Sequence, residues 1–365
     1  MDKENRIVMT LDAGGTNFVF SAIQNYEAVI EDITLPSNAD NLDKCLSTIT
    51  EGFTKVKEQL DEEPVAISFA FPGPADYPNG IIGDLGNLPA FRGGIALGPM
   101  LQEQFGIPAY INNDGDLYAY GEAIGGFLKD VNKDLEKAGS PKRYKNLVGF
   151  TLGTGFGAGI VRDEELFIGD NSGAGEVWLL RDSVNPEWNI EEHASIRGIR
   201  RVYARESKIS FDDAPTPKDI YEIAIGEEEG DTDAAIEAFR ECAKAIGDAI
   251  ANVVTLVDGL VVIGGGLSGA SDLFLPMLIE EMKRPFTAPD GSPLNRIVPS
   301  IYNLNDSSGR MQFMLGKTKD IKIPGTDKII KYDSEKRIGI GITKIGTSRA
   351  VSIGAYAFAL KQLRK

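Results

Sequence analysis

The sequence predicts an α/β protein built from two related halves, and three observations carry that expectation. Apolar strand-like runs alternate with helical ones along the chain, as α/β architectures require. A strand, glycine turn and second strand at residues 7–23 recur at residues 147–161. Glycine supplies 41 of 365 residues, roughly 11% against a usual value of about 7%, so many turns need bare backbone. The repeat is visible when Thr10-Leu-Asp-Ala-Gly-Gly-Thr16 is set over Thr151-Leu-Gly-Thr-Gly-Phe-Gly157. Self-similarity at a separation of about 140 residues points to a duplicated fold. Asp12 aligns with Gly153, so only the first copy carries a carboxylate.

Residues 7–11 read as a strand, 12–16 as the turn and 18–23 as the returning strand. A helix is expected over 41–60, then a buried strand over 65–71 stopped by Pro72-Gly73-Pro74. A long loop carries Asn79-Gly80 and Asn87-Leu-Pro89. The short strand 109–111 leads through Asn112-Asn-Asp114 to a helix over 117–125. In the second half, strand 147–152, turn 153–157 and strand 158–161 precede a long helix over 232–257. Strand 260–263, Gly264-Gly-Gly266 and a helix over 272–282 follow. Residues 285–345, rich in Pro, Gly, Asp and Lys with strand-like alternation, read as a hairpin insertion, and 348–363 as a terminal helix.

Charge and composition exclude several function classes. With 38 basic and 54 acidic residues the net charge is −16, which argues against binding nucleic acid or an anionic membrane. A hydrophobic content of 42% excludes global disorder. Two cysteines, Cys45 and Cys242, cannot build a disulfide scaffold or a four-thiolate zinc site, and His193 alone excludes a two-histidine metal site. The apolar stretch 246–266 is broken by Asp248 and Asp258, so no transmembrane helix is expected. The charged N-terminus lacks a signal-peptide pattern, and too little chain precedes the first strand for a helix-turn-helix. The expected location is cytoplasmic.

Glycine turns expose backbone N–H groups that cradle phosphates. A tight hairpin would explain either turn alone; two matched turns favour a polyphosphate gripped from both sides. Gly264-Gly-Gly266-Leu-Ser-Gly269 fits the dinucleotide pattern, but no second strand with a terminal acid follows, so NAD is not expected. Gly316-Lys317-Thr318 resembles a P-loop ending, but Met311 stands where the first glycine belongs. Asp12, at a strand end beside a phosphate turn, is placed to hold Mg²⁺ directly or through water. Asp114 reads equally as a helix N-cap, a role for which Asp116 competes, and as a base accepting a hydroxyl proton. Glu176, after Gly173-Ala-Gly175, sits in a polar loop.

These motifs, in their order, resemble the ROK family of sugar kinases and repressors: Asp12-Ala-Gly-Gly-Thr16, Pro72-Gly73 with Asn87-Leu-Pro89, Asn113-Asp114 with Gly121-Glu122, Gly153-Thr-Gly-Phe-Gly157, Gly173-Ala-Gly-Glu176 and Gly264-Gly-Gly266. The resemblance spans most of the chain except inserts near 127–145, 205–230 and 300–340. It implies the actin-like, hexokinase-type fold, with an active-site cleft between two lobes. One lobe would be 1–115 joined by helix 346–365, the other 116–345. By matched positions, Asp12, Gly14, Gly15 and Thr16 would meet phosphate and Mg²⁺. Thr154 and Gly155 would form the second phosphate loop, with Gly265 and Gly266 flanking the adenosine. Asn113 would bind a sugar hydroxyl beside the base Asp114, Gly73 and Asn87 would line the sugar loop, and Glu176 and Glu191 would contact the ring.

Two departures stand out. The family's zinc-binding cysteine segment reads Asn185-Pro-Glu-Trp-Asn189 here, and Leu179 replaces a family histidine; no structural zinc is expected. His193 reads as a packing or surface residue. The implied activity is ATP-dependent phosphorylation of a hexose hydroxyl, most simply glucose to glucose 6-phosphate. An N-acetylhexosamine or fructose kinase is the nearest alternative, and a sugar-binding regulator without turnover is the other. The expected partners are ATP and a small sugar, without nucleic acid or membrane, and a homodimer is compatible with the sequence.

Overall fold

The computed structural model describes residues 4–85 and 90–364. Contact density divides the chain into two compact units: Met1–Gly126 with Glu165–Gly175 and Ile345–Lys365, and Phe127–Glu164 with Glu176–Lys344.

In the first unit, β1 (Val8–Ala13) and β2 (Asn17–Gln24) form the hairpin around the glycine turn, with Asp12 opposite Val19. Strands β3 (Glu27–Ala28) and β4 (Ile33–Pro36) both pair with β2. Helix α1 (Leu42–Glu58) begins where the Asn41 side chain accepts the Lys44 N–H, and Lys55 and Lys57 oppose the dipole at its end. Strand β5 (Ala66–Ala70) returns parallel to β1. A small hairpin, β6 (Ala75–Asp76) with β7 (Ile81–Ile82), precedes α2 (Leu97–Phe105), β8 (Ala109–Asn112) and α3 (Asp114–Ile124). The sheet order is β3-β2-β1-β5-β8.

Side chains alternate across such a sheet, and each face of this one has its own cover. Phe18, Phe20, Phe53, Phe69 and Phe71 form one apolar layer, largely through edge-to-face contacts. Val8 and Ala66 face Tyr356, Ala359 and Leu360 of the C-terminal helix, Thr347–Gln362. Helix α3 lies tightly on that helix. A Cβ on Gly121 would stand 1.8 Å from the Ala350 carbonyl oxygen, and one on Gly354 2.0 Å from that of Leu117. Only glycine permits so close an approach, which keeps α3 in the first unit.

The second unit runs through α4 (Phe127–Lys137), β9 (Leu147–Leu152) and β10 (Phe156–Arg162). The short β11 (Glu165–Phe167) belongs to the first unit. Helices α5 (Ile196–Ser207), α6 (Pro217–Ala224) and α7 (Thr232–Val257) lead to β12 (Leu260–Gly264) and α8 (Ser271–Lys283). The buried face of α7, including Ala238, Ile246, Ala249 and Ile250, joins the core beneath β9 and β12.

Residues 285–345 correct the expectation of a hairpin insertion. Hairpins do occur, as β13 (Phe286–Thr287) with β14 (Pro293–Leu294) and as β16 (Thr318–Lys322) with β17 (Ile329–Asp333). Yet β15 (Ser300–Asn303), α9 (Ser307–Leu315) and β18 (Arg337–Ile342) lie among them, and β18 pairs parallel to both β12 and β15. The apolar alternation Ile338-Gly-Ile340 belongs to a buried sheet strand. The second sheet thus contains β10-β9-β12-β18-β15 in order. Each unit has an antiparallel hairpin followed by two parallel strands, β2-β1-β5-β8 and β10-β9-β12-β18, so the duplication read from the glycine turns is real. Among the described residues no helix is long and apolar enough to cross a membrane.

Candidate active site

The first unit gathers Asp12, Gly73, Asn113 and Asp114 around one cavity of 380 Å³. Sheet register explains the gathering. Asp12 pairs with Ala70, and Ala70 with Asn112, so the carboxyl ends of three parallel strands lie side by side, where α/β folds hold their ligands. The C-terminal helix closes the wall with Thr347, Ser348 and Val351.

Asn113, rather than Asp114 or Asp116, is the N-cap of α3: its side-chain oxygen accepts the Gly115 N–H at 2.8 Å. The helix consequently starts at Asp114, three residues before the expected 117. The Oδ1 of Asp114 shares the same donor at 2.9 Å, which fixes the carboxyl at the cavity and leaves Oδ2 to accept another proton donor. The amide nitrogen of Asn113 likewise takes no partner among the described residues. Burial and the negative charges of Asp114 and Asp32 push the Asp12 carboxyl above its ordinary pKa.

Gly14, Gly15 and Thr16 form the β1–β2 turn. Ser37, which sequence reasoning missed, pins it: its hydroxyl donates to the Gly15 carbonyl at 2.6 Å and its N–H to that of Thr16 at 2.9 Å. Gly73 lies over Tyr77, whose hydroxyl donates to the Phe71 carbonyl at 3.0 Å. Asn87 falls outside the described residues.

In the second unit, the β9–β10 turn is shorter than the expected 153–157, because Phe156 already pairs with Leu152. Thr154 is exposed on it. The Gly153 carbonyl accepts the Ile196 N–H at the start of α5, 2.9 Å. Glu191 lies against this turn. Its Oε2 accepts the Phe156 N–H at 3.1 Å, its Oε1 stands 3.6 Å from Arg197, and a Cβ on Gly155 would come 2.6 Å from Oε2. Glu191 therefore braces the second glycine turn. Gly265 adopts φ +88°, and a Cβ there would stand 2.2 Å from the Leu152 carbonyl oxygen, whereas one on Gly266 would meet no atom within 4 Å. Glu176 begins the turn Val177–Leu179 and accepts the Trp178 indole N–H; Leu179 is exposed.

The segment that replaces the cysteine cluster folds around a buried carboxylate–imidazole contact. Asp182 and His193 are both buried, and Asp182 Oδ2 meets His193 Nδ1. The other Asp182 oxygen accepts the Val184 N–H at 2.8 Å, and Glu241 lies 3.6 Å from His193 Nε2. Trp188 stacks on the imidazole, with the Arg201 guanidinium over the indole. His193 is thus a packed residue bonded through its ring, part of a network that also joins the turn bearing Glu191.

Comparison with known proteins agrees with the geometry. A family model described as ROK matches residues 8–311. This chain belongs to the ROK family. A solved glucokinase from Parabacteroides distasonis is 53% identical to this ROK chain, with 98% of each chain covered and a TM-score of 0.90. An N-acetyl-D-glucosamine kinase from Vibrio parahaemolyticus is 26% identical over 75% of this chain and 87% of its own length. A ROK glucokinase from Streptomyces griseus, solved in complex with glucose and AMPPNP, shares the fold at 18% identity, TM-score 0.61, over 96% and 98% of the chains. The fold is the actin-like, hexokinase-type one, in a sugar kinase family.

Proposed function

We propose that this ROK chain transfers the γ-phosphoryl group of ATP to the 6-hydroxyl of an aldohexose, with glucose as the preferred acceptor. The observation that carries this reading is the pair Asn113–Asp114, held by one backbone N–H at the wall of the cavity that Asp12 also lines. Asp114 accepts the proton of the attacking hydroxyl, and its cap-like bond to Gly115 keeps the acceptor oxygen aimed. Asn113 donates its amide hydrogens to a neighbouring sugar hydroxyl. Gly73 and Asn87 supply the sugar loop, and Glu176 and Glu191 the ring contacts, with Glu191 also bracing the phosphate turn through Phe156.

The turns at Gly14, Gly15 and Thr16 and at Thr154 and Gly155 direct N–H groups to the phosphates, where they absorb developing charge. The residues present fit Mg²⁺: Asp12 lines the cavity with Asp114, its pKa raised by burial and then by the charges of Asp114 and Asp32, and a divalent cation relieves that crowding of carboxylates. Asp12 would hold the ion directly or through water, and the ion supplies charge neutralisation on the phosphates. No structural zinc is part of this account, since Asp182 and His193 brace the segment. Elemental analysis of active protein is expected to find no stoichiometric zinc, and one zinc per chain would overturn that assignment.

Gly265 and Gly266 flank the adenosine, and their surroundings separate fold from function. Gly265→Ala is expected to cost about 1–3 kcal/mol of stability through backbone strain. Gly266→Ala is expected to leave stability within about 0.5 kcal/mol and to raise the KM for ATP, because the added methyl meets no protein atom. Matched unfolding and steady-state measurements check the pair.

The 53% likeness to a glucokinase supports glucose; the N-acetylglucosamine kinase relative supports the N-acetylhexosamine alternative. Asp12 and Asp114 weigh against a regulator without turnover, which needs neither. Phosphorus–proton NMR of the product tests the regiochemistry. Glucose 6-phosphate is expected, and a phosphoryl group on any other carbon would overturn the assignment.

A further inference from the structure

The second unit holds a separate pocket of 760 Å³, and its walls contradict the character of the whole chain. Seven basic side chains and two acidic ones line it, in a protein of net charge −16. Three of the cations are matched: Lys145 by Asp163 at 3.0 Å, Arg296 by Asp248 at 2.5 Å, and the buried Arg337 by Asp333 at 2.5 Å. Lys142, Arg143, Arg162 and Lys336 have no carboxylate partner among the described residues. Lys142 donates to the Glu335 carbonyl at 2.7 Å and Arg143 to that of Ser140 at 2.8 Å, which leaves both charges in place. Arg162 and Lys336 are exposed. Burial, and then the charge of Arg337, hold the Lys142 pKa below its ordinary value although Asp333, Asp258 and Glu335 oppose the shift. The pocket is a place where positive charge crowds.

Its position follows from strand direction. Lys145 lies two residues ahead of β9, Asp258 two ahead of β12, Pro299 precedes β15, and Lys336 precedes β18, while Arg162 ends the antiparallel β10. The glycine turns stand at the other ends of β9 and β12. A strand of this length at about 3.3 Å per residue puts roughly 20 Å between the two ends, so an occupant here does not touch those turns.

We propose that this pocket binds a small anion carrying two or more phosphoryl charges. Its volume falls within the range of small-molecule sites. The guanidinium groups of Arg143 and Arg162 offer planar forks suited to phosphoryl oxygens, with Lys142 and Lys336 as point charges. The acidity of the rest of the chain disfavours a long polyanion and leaves a compact one.

Inorganic pyrophosphate is the probe, titrated calorimetrically into the full chain and into its charge-reversed variant. Binding is expected to weaken at least about tenfold in Arg162→Glu/Lys336→Glu, since both contacts to the anion turn from attractive to repulsive. That variant is expected to keep the kcat and circular dichroism of the parent, and Arg162→Lys/Lys336→Arg to keep the binding. Absent binding, or unchanged affinity in the charge-reversed variant, would each overturn the proposal.

Discussion

Replacing Asp114 by asparagine is expected to lower kcat by about 10²–10⁴, the usual contribution of a positioned general base, while the Kd for sugar changes little. Asparagine preserves the volume and an oxygen that can accept the Gly115 N–H, now at 2.9 Å from Asp114 Oδ1, so α3 keeps its start and Asn113 its place as N-cap. What disappears is an anion able to accept the hydroxyl proton. Stopped-flow or steady-state kinetics beside calorimetric sugar binding separates the two effects. Near-full kcat in the variant would remove Asp114 from the mechanism, and an equal loss of sugar binding would make it a binding residue.

The second large effect is on stability. Asp182→Ala is expected to cost about 3–5 kcal/mol, the range for breaking a buried ionic contact by removing one partner. His193 is left buried beside Glu241, whose Oε2 has no hydrogen-bond partner among the described residues, and the Val184 N–H loses its acceptor. The measurement is the urea midpoint with an unchanged denaturant slope. Asp182→Leu combined with His193→Phe is expected to recover much of the loss, because an apolar pair removes the orphaned groups. A single-variant cost below about 1 kcal/mol would show that the packing of Trp188, rather than the ionic contact, holds the segment.

These two residues also mark how far the sequence could be read. Asp12, Asn113 and Asp114 were visible because each follows an apolar strand, and parallel strands bring their carboxyl ends together. The glycine turns were visible because a bare backbone leaves a compositional trace, and Asp12 against Gly153 identified which copy carries a carboxylate. Asp182 with His193 was not visible: eleven positions apart, they meet only because the chain reverses through Trp188 and Asn185. Nor does spacing reveal that Glu191 reaches back to the Phe156 N–H. Proline, glycine and lysine masked β18, a buried strand inside residues taken for an insertion, since its flanking hairpin has the same alternation. The cations at 142–143, 162 and 336 become neighbours only through the alignment of strand ends, which composition does not encode.

The central claim, hexose phosphorylation with glucose preferred, is tested most directly by coupled ADP release across glucose, mannose, N-acetylglucosamine, fructose and galactose. Leu179 can neither donate nor accept a hydrogen bond, and one such bond is worth about 0.5–1.5 kcal/mol. Glucose is therefore expected to lead in kcat/KM, with its C2 variants within about tenfold and galactose, the C4 control, rejected through Asn113 and Asp114. The highest kcat/KM with N-acetylglucosamine or fructose would move the preference to that sugar, and no sugar-dependent ADP release with any hexose would contradict the account.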